Sequence, residues 1–509
     1  MIAGLLAKID HLAQGGWLNI LLTIIAGASM IAAFAPVSAW YLVFPGLIWL
    51  FLPLQSLNLK QALYRSLWFH IGFFTLGISW VHVSIHRFGN VSLPLSIPLT
   101  FSFILALSLY ASLTIFILKR WFSHLTTAVF YLVALPFAWI VTEWVGNWLA
   151  TGFPWLTLGH SQVDGFFSSV APLLGSTAIS FLIVLIAGAI ILILREGKQQ
   201  LKLTTPLLLS IFISVFALHQ IEWVEETDEI LSVSLIQPSI AQDKKWLIEE
   251  RRKTLRYFHE TTEQLDSDLV IWPEGAIPAL RSQVTNYLQM IDELSKRKNQ
   301  AVLTGLAVRE ASQFYNTTIM IGDGEGVYYK QHLVPFGEYV PFESWIRGLI
   351  GIFDLPMSSF SKGADDQPLL TTAGWNVAMA ICFEIIFQDI VANQLPGADV
   401  LITLSNDAWF GNSLGAYQHL DIARMRALEN GIPVIRATND GISAFIDFKG
   451  RVISKMGKFE KGVLSQQVSK VSGETPYRKL GPYWSYLIIL IIPGLILLSS
   501  FYRRSRVDS

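Results

Sequence analysis

The sequence predicts a chain in two parts: a polytopic helical membrane domain of about eight spans, and one polar domain of layered α/β type. Three observations carry this. Of 509 residues, 52% are hydrophobic and only 15% charged, against about 25% charged in an average soluble domain. The apolar residues gather into runs of spanning length, most of them before residue 222 and one near the end. Between these lies a stretch, from about 228, where short β-branched runs alternate with charged segments of helical period, the texture of strands packed on helices.

A spanning helix needs about 20 apolar residues, because lipid cannot satisfy an exposed backbone. Seven such runs are expected near 17–35, 39–54, 66–86, 93–118, 128–149, 166–194 and 203–221, and an eighth near 482–502. The predicted domains are therefore 1–221, membrane; 222–475, polar; and 476–509, a last span with its tail. Orientation follows from Lys and Arg in short loops. With a cytoplasmic N-terminus, Lys8, Lys60, Arg65, Lys119, Arg120, Arg195, Lys198, Lys202 and the tail arginines 503, 504 and 506 fall on the cytoplasmic side, and only Arg87 falls opposite. That bias puts the polar domain outside, which in a Gram-negative cell is the periplasm.

Charge and cysteine usage narrow the function. A net charge of -1 leaves no basic excess for nucleic acid. One cysteine excludes an internal disulfide. His82 and His86 have the i, i+4 spacing of a helical ligand pair, but no third ligand is apparent, so they read as structural and no metal is expected. The aromatic loop 147–164 reads as an interfacial belt. Glu143, near the outer end of the fifth span, is either a functional carboxylate or one paired with Asn147 a turn away.

Within the polar domain, strands are expected at 230–237, 268–274, 301–308, 376–384, 399–407, 433–437 and 442–447, helices at 244–265, 286–298 and 419–430, and a hairpin at 317–330 turning on Asp-Gly-Glu-Gly. Three of these segments end in a reactive side chain: Glu274 in Trp-Pro-Glu, Lys330 in Tyr-Tyr-Lys, and Cys382, the one cysteine. A cysteine in an apolar strand is by itself most simply a small hydrophobe. A site off strand ends raises another reading. A thiol needs its proton removed to act as a nucleophile, a carboxylate can take that proton and return it to a leaving group, and a lysine can stabilise an oxyanion, completed by backbone N–H groups after Cys382.

Trp-Pro-Glu at 272–274, the strand ending in Lys330, and Cys-Phe-Glu at 382–384, in this order, resemble the nitrilase (carbon–nitrogen hydrolase) superfamily. The block YYKQHLVPFGEYVP at 328–341, joined to spans on both sides of the domain, resembles the apolipoprotein N-acyltransferase family within it. The resemblance covers nearly the whole chain and implies an αββα sandwich. It implies Glu274 as general base and acid, Lys330 as oxyanion stabiliser and Cys382 as nucleophile. It further implies Glu338 as a second carboxylate that positions the lysine, Glu384 as an essential glutamate, and Trp246 as a residue of a substrate-binding loop. Phe383 stands where many members have tyrosine, which leaves no role for that hydroxyl but leaves the backbone N–H. The implied reaction moves the sn-1 acyl chain of a phospholipid, usually phosphatidylethanolamine, onto Cys382 as a thioester. From there it passes to the α-amino group of S-diacylglyceryl-cysteine at a lipoprotein N-terminus. No cofactor is called for.

The stretch 340–360, with Trp345 and Ile350 among its apolar residues, reads as an arm that dips into the outer leaflet and admits acyl chains. Residues 406–411 read as a turn beside the pocket, and 424–430 as a solvated helix face. Two other readings compete. A membrane-tethered amidase or nitrilase would use the same residues and pass the acyl group to water. A transporter with a non-catalytic outer domain would act independently of Cys382; the chain shows neither the internal repeat nor the mid-membrane charge that transporters favour.

Overall fold

The computed structural model describes residues 2–89, 91–242, 244–340 and 360–507. The chain divides into two compact units. One comprises residues 1–79, 97–222 and 479–509; the other comprises 80–96 and 223–478. The stretch 80–96, expected as the end of one span, a loop and the start of the next, thus groups with the polar domain.

The first unit is helical. Among the described residues, four stretches are long and apolar enough to cross a membrane, or up to six if each of two bent helix pairs is one span. Residues 40–51 form a shorter apolar helix. The expected runs 166–194 and 203–221 fall in the stretch Phe166–Leu218, whose two long helices, Ala171–Glu196 and Leu201–Leu218, are parted at Gly197, φ +75°. Arg65 is not a loop charge: it is buried in the helix Leu59–Ile78 and donates to Asn19 Oδ1 at 2.7 Å. Glu143 does not pair with Asn147. Its Oε1 accepts from Trp139 Nε1 at 2.9 Å and from the backbone N–H of Leu158 at 3.2 Å, while Asn147 donates to Tyr486 Oη.

The second unit is built on strands β1 (Val224–Gln237), β2 (Leu269–Ile271), β3 (Ile277–Leu280), β4 (Ala301–Glu310), β5 (Gln313–Gly322), β6 (Gly324–Glu325), β7 (Val327–Tyr329), β8 (Leu370–Thr372), β9 (Trp375–Ile381), β10 (Val400–Ser405), β11 (Val434–Thr438), β12 (Ser443–Ile446), β13 (Val452–Met456) and β14 (Gly462–Gly473). They form two seven-stranded sheets. One runs β14-β1-β2-β4-β5-β7 with β3 beside β4; the other runs β13-β12-β11-β10-β9-β8-β6. β9, β10 and β11 are parallel, and β10, Val-Leu-Ile-Thr-Leu-Ser, is buried at every position, the pattern of a strand covered on both faces.

One core, with Leu235, Leu269, Ile271, Leu303, Met379, Ile402 and Phe445 among its members, draws on both sheets and lies between them. A second core packs the helices Ile248–Gln264 and Thr285–Arg297 on the outer face of the first sheet. The helices Gln388–Gln394 and Gly415–Asn430 accompany the second sheet. The layering is the αββα sandwich.

Two expectations need correction here. The segment 317–330 is not one closed hairpin. β5 pairs with β7, Thr317 opposite Tyr329, but the intervening Gly324 and Glu325 cross to the other sheet and pair with β8. Gly322 and Gly326, at φ +85° and +125°, permit that excursion. Nor is 424–430 a solvated face. Arg426 and Glu429 are fully buried and form an ion pair at 2.8 Å, and Asn430 is buried beside them. Charge spacing on a helix does not reveal which face the sheet will cover.

Candidate active site

Each of the reactive side chains is delivered by a loop just past a strand. Glu274 lies three residues beyond β2. Trp272 anchors the approach: it is fully buried, stacks on Phe258 at 4.5 Å, and its backbone N–H donates to Leu303 O. The turn then presses on Gly305 of β4. A Cβ on Gly305 would lie 2.6 Å from Gly275 N and 2.9 Å from Glu274 Cα, so only glycine permits this approach. Lys330 follows β7, tied by its N–H to Asn316 O and by its carbonyl to Gly363 N. Cys382 follows β9 and opens a short turn, Cys382–Ile386, with its backbone at φ +54°. That left-handed conformation is uncommon in a residue with a side chain and persists where surroundings hold it.

These loops converge. Lys330 Nζ, 1% exposed, lies 2.9 Å from Glu338 Oε1 and 3.4 Å from Glu274 Oε1. Asn316 Nδ2 donates at 2.8 Å to both of those oxygens, bridging the carboxylates. Glu338 Oε2 accepts from Val334 N–H, which pins its own loop. Glu274 Oε2 is buried, with no hydrogen-bond partner among the described residues. Burial alone would lower the lysine pKa, but Glu338 and Glu274 together hold it above the ordinary lysine range, so it is a permanent cation. Burial, then the Glu274 charge, pushes the Cys382 thiol well above its usual value, with Lys330 opposing. The resting group is the thiol, not the thiolate. A buried thiol of this kind becomes nucleophilic only once a nearby base takes its proton.

Glu384 is fully buried and acts as a brace. Oε1 accepts from the backbone N–H groups of Gln331 and His332, and Oε2 from Ile381 N–H at 2.6 Å and Tyr328 Oη at 3.1 Å. It therefore ties the loop after Lys330 to the turn of Cys382. Burial pushes its pKa up to about 7, against the pull of those N–H groups and Lys330. Among the described residues no group of three His, Cys, Asp or Glu side chains has the arrangement to hold a metal ion. His86 Nδ1 instead meets Val91 O at 2.8 Å.

Comparison with known proteins fits this geometry. Residues 232–477 match the carbon–nitrogen hydrolase family model, and residues 26–189 match the model of the apolipoprotein N-acyltransferase N-terminal domain. The chain is 37% identical to an apolipoprotein N-acyltransferase of Shewanella oneidensis over 96% of each chain. It is 40% identical to one of Vibrio cholerae, over 93% of this chain and 95% of that one. The chain belongs to the apolipoprotein N-acyltransferase family. It is an N-acyltransferase enzyme, and its apolar helices are those of a membrane protein.

The remaining expected residues of this N-acyltransferase fall in different places. Phe383 is buried at the mouth of the Cys382 turn, edge-on to Phe387 at 5.2 Å and tilted against the His332 ring. Trp246 is 45% exposed, in the loop before the helix Ile248–Gln264. Trp345 and Ile350, and the arm they define, lie outside the described residues.

Several neighbours escape sequence reading. Lys245, beside Trp246, is buried and donates from Nζ to Glu274 O at 3.3 Å; burial brings its pKa down to about 8 although Glu274 and Asp440 oppose it. Asn316 carried one signal, an amide inside a strand where that residue type is depleted. Asp407, His419 and Arg436 lie in three separate segments, and nothing in their spacing links them.

Proposed function

We propose that this enzyme transfers the sn-1 acyl chain of a phospholipid, phosphatidylethanolamine foremost, through a Cys382 thioester to the N-terminal α-amino group of S-diacylglyceryl-cysteine in apolipoproteins. Glu274 is the general base and acid, Lys330 the oxyanion stabiliser, and Cys382 the nucleophile. Glu338 positions the lysine, and Glu384 braces the two loops. In the first half-reaction Sγ attacks the ester carbonyl and its proton passes to Glu274. The tetrahedral oxyanion faces Lys330. The C–O bond then breaks, and the lysophospholipid leaves with the proton from Glu274. In the second half-reaction the neutral amine attacks the thioester, an amide forms, the C–S bond breaks, and the proton returns to sulfur by way of Glu274. The scheme uses no cofactor.

What supports this reading is the convergence of Glu274, Glu338 and Lys330, with Lys330 Nζ at 3.4 and 2.9 Å from the two carboxylates, and the tie that Glu384 makes between the Lys330 loop and the turn of the buried Cys382. A lysine already saturated with carboxylate partners is a fixed cation rather than a base. Both substrates are lipid-anchored, which accounts for a membrane domain at 1–221 and a closing segment at 476–509 around the catalytic domain at 222–475. The enzyme resides in the bacterial inner membrane with that domain facing the periplasm. Trp246, Trp345 and Ile350 contact lipid substrate.

The test is intact-protein mass spectrometry after incubation with phosphatidylethanolamine, for the native chain and Cys382→Ala. The expected result is a hydroxylamine-sensitive acyl adduct on the native protein only, discharged by a diacylated lipopeptide. Lipid turnover by Cys382→Ala, with no adduct on either protein, would refute the mechanism. Release of free fatty acid with no acylated amine would show that water is the acceptor.

A further inference from the structure

The carbonyl of the Cys382 residue has a side-chain partner of its own. His419, fully buried on the helix Gly415–Asn430, brings Nε2 to 3.1 Å from Cys382 O. Its other ring nitrogen, Nδ1, lies 3.0 Å from Arg436 Nη2 and 3.3 Å from Asp407 Oδ1. A guanidinium only donates, so Nδ1 is the acceptor in that contact. The ring proton then sits on Nε2 and is donated to Cys382 O. Arg436 Nη2 also reaches both Asp407 oxygens, at 2.8 and 2.9 Å. The three side chains are at most 1% exposed. Burial and the adjacent guanidinium keep the imidazole neutral.

A buried Arg–Asp pair is a poor stabiliser, because its desolvation offsets its attraction. Here it fixes one tautomer of one ring. The turn that bears Asp407 is held in its own right: Trp80 packs edge-on against Phe410 at 4.6 Å, Phe410 meets the His419 ring at 5.6 Å, and Ser84 Oγ donates to Trp409 O at 2.8 Å. In a trans peptide the C=O of one residue and the N–H of the next are coplanar and point in opposite directions. Holding Cys382 O therefore aims Phe383 N–H, and a hydrogen bond at the oxygen polarises that N–H further.

We propose that His419, oriented by Arg436 and Asp407, is a positioning residue that locks the Cys382–Phe383 peptide plane so that Phe383 N–H serves, with Lys330, as the second oxyanion donor. The inference rests on the reading of Cys382 as nucleophile given above. It also explains how a residue with a side chain is kept at φ +54°.

The experiment compares the native enzyme with His419→Leu, His419→Gln and His419→Asn, using phosphatidylethanolamine and a diacylated lipopeptide. Two rates are measured: thioester formation, and alkylation of the single cysteine by iodoacetamide. Alkylation displaces iodide at a saturated carbon and develops no oxyanion, so it reports the thiol alone. Removing one oxyanion donor costs about 100-fold or more. Thioester formation in His419→Leu should fall by that order, with KM for the phospholipid unchanged. Its alkylation should stay within about threefold of native. Gln, whose amide N–H reaches the carbonyl, should recover at least about tenfold over Asn, which is one methylene short. This last comparison decides the matter if the Leu variant does not fold. Thioester formation unchanged in His419→Leu overturns the proposal. So does a parallel loss of alkylation, and so does equal activity of Gln and Asn. A fully active Cys382→Ala would instead refute the reading of the site on which the proposal rests.

Discussion

Gly305→Ala tests the positioning of Glu274 without touching any group that takes part in proton transfer. The new methyl carbon would lie 2.6 Å from Gly275 N and 2.9 Å from Glu274 Cα and Pro273 O, all of them backbone atoms that no rotamer change can remove. Reaching the 3.4 Å of ordinary contact displaces the turn by about 0.5 to 0.8 Å. Overpacking of this kind costs about 1–3 kcal/mol of stability. A misplacement of about 1 Å at a reacting group costs on the order of 10²-fold in rate. Gly305→Ala should therefore lower kcat for acyl transfer by about 10- to 100-fold while most of the protein remains folded. The assay is steady-state transfer to a diacylated lipopeptide in detergent, with thermal unfolding measured on the same preparation. A kcat within about threefold of native, in a protein shown to fold, would refute the argument that the Trp-Pro-Glu-Gly turn sets the geometry of the base.

Three further outcomes are expected. Glu274→Gln should lower acyl transfer by about 10²- to 10⁴-fold, yet move the pH profile of iodoacetamide alkylation of Cys382 downward, because it removes the charge that helps hold the thiol up; an unchanged or raised profile would contradict this. Lys330→Met should abolish transfer and destabilise the domain by about 3–5 kcal/mol, since it leaves the Glu274 and Glu338 charges buried without their cation. Adding Glu338→Gln should restore part of that stability and none of the activity. For Asp407, burial would raise the pKa, but Arg436 foremost offsets it, and the group is held at about 2, against 3.8 for the free group. A depressed carboxylate contributes stability that is complete above the unfolded value and lost as pH falls through the folded one. Unfolding titrations should thus show native protein losing about 2 kcal/mol between pH 4 and pH 2 that Asp407→Asn does not lose.

The chain alone carries the division into membrane and polar parts, because runs of apolar residues and alternation of short strands with helices are local properties. It also carries Glu274, Lys330 and Cys382, each at a strand end, and through the resemblance of the blocks 328–341 and 382–384 it adds Glu338 and Glu384; the structure brings those five together. Two matters depended on tertiary structure. The burial of Arg426 and Glu429 did, since a charged helix face looks solvated until a sheet covers it. Above all, the support around the nucleophile did. Asn316, Lys245 and the Asp407–His419–Arg436 cluster reach the site from strands, loops and a helix far apart in sequence. No periodicity relates them, because what joins them is the stacking of two sheets, and that is fixed by the whole core rather than by any segment of it.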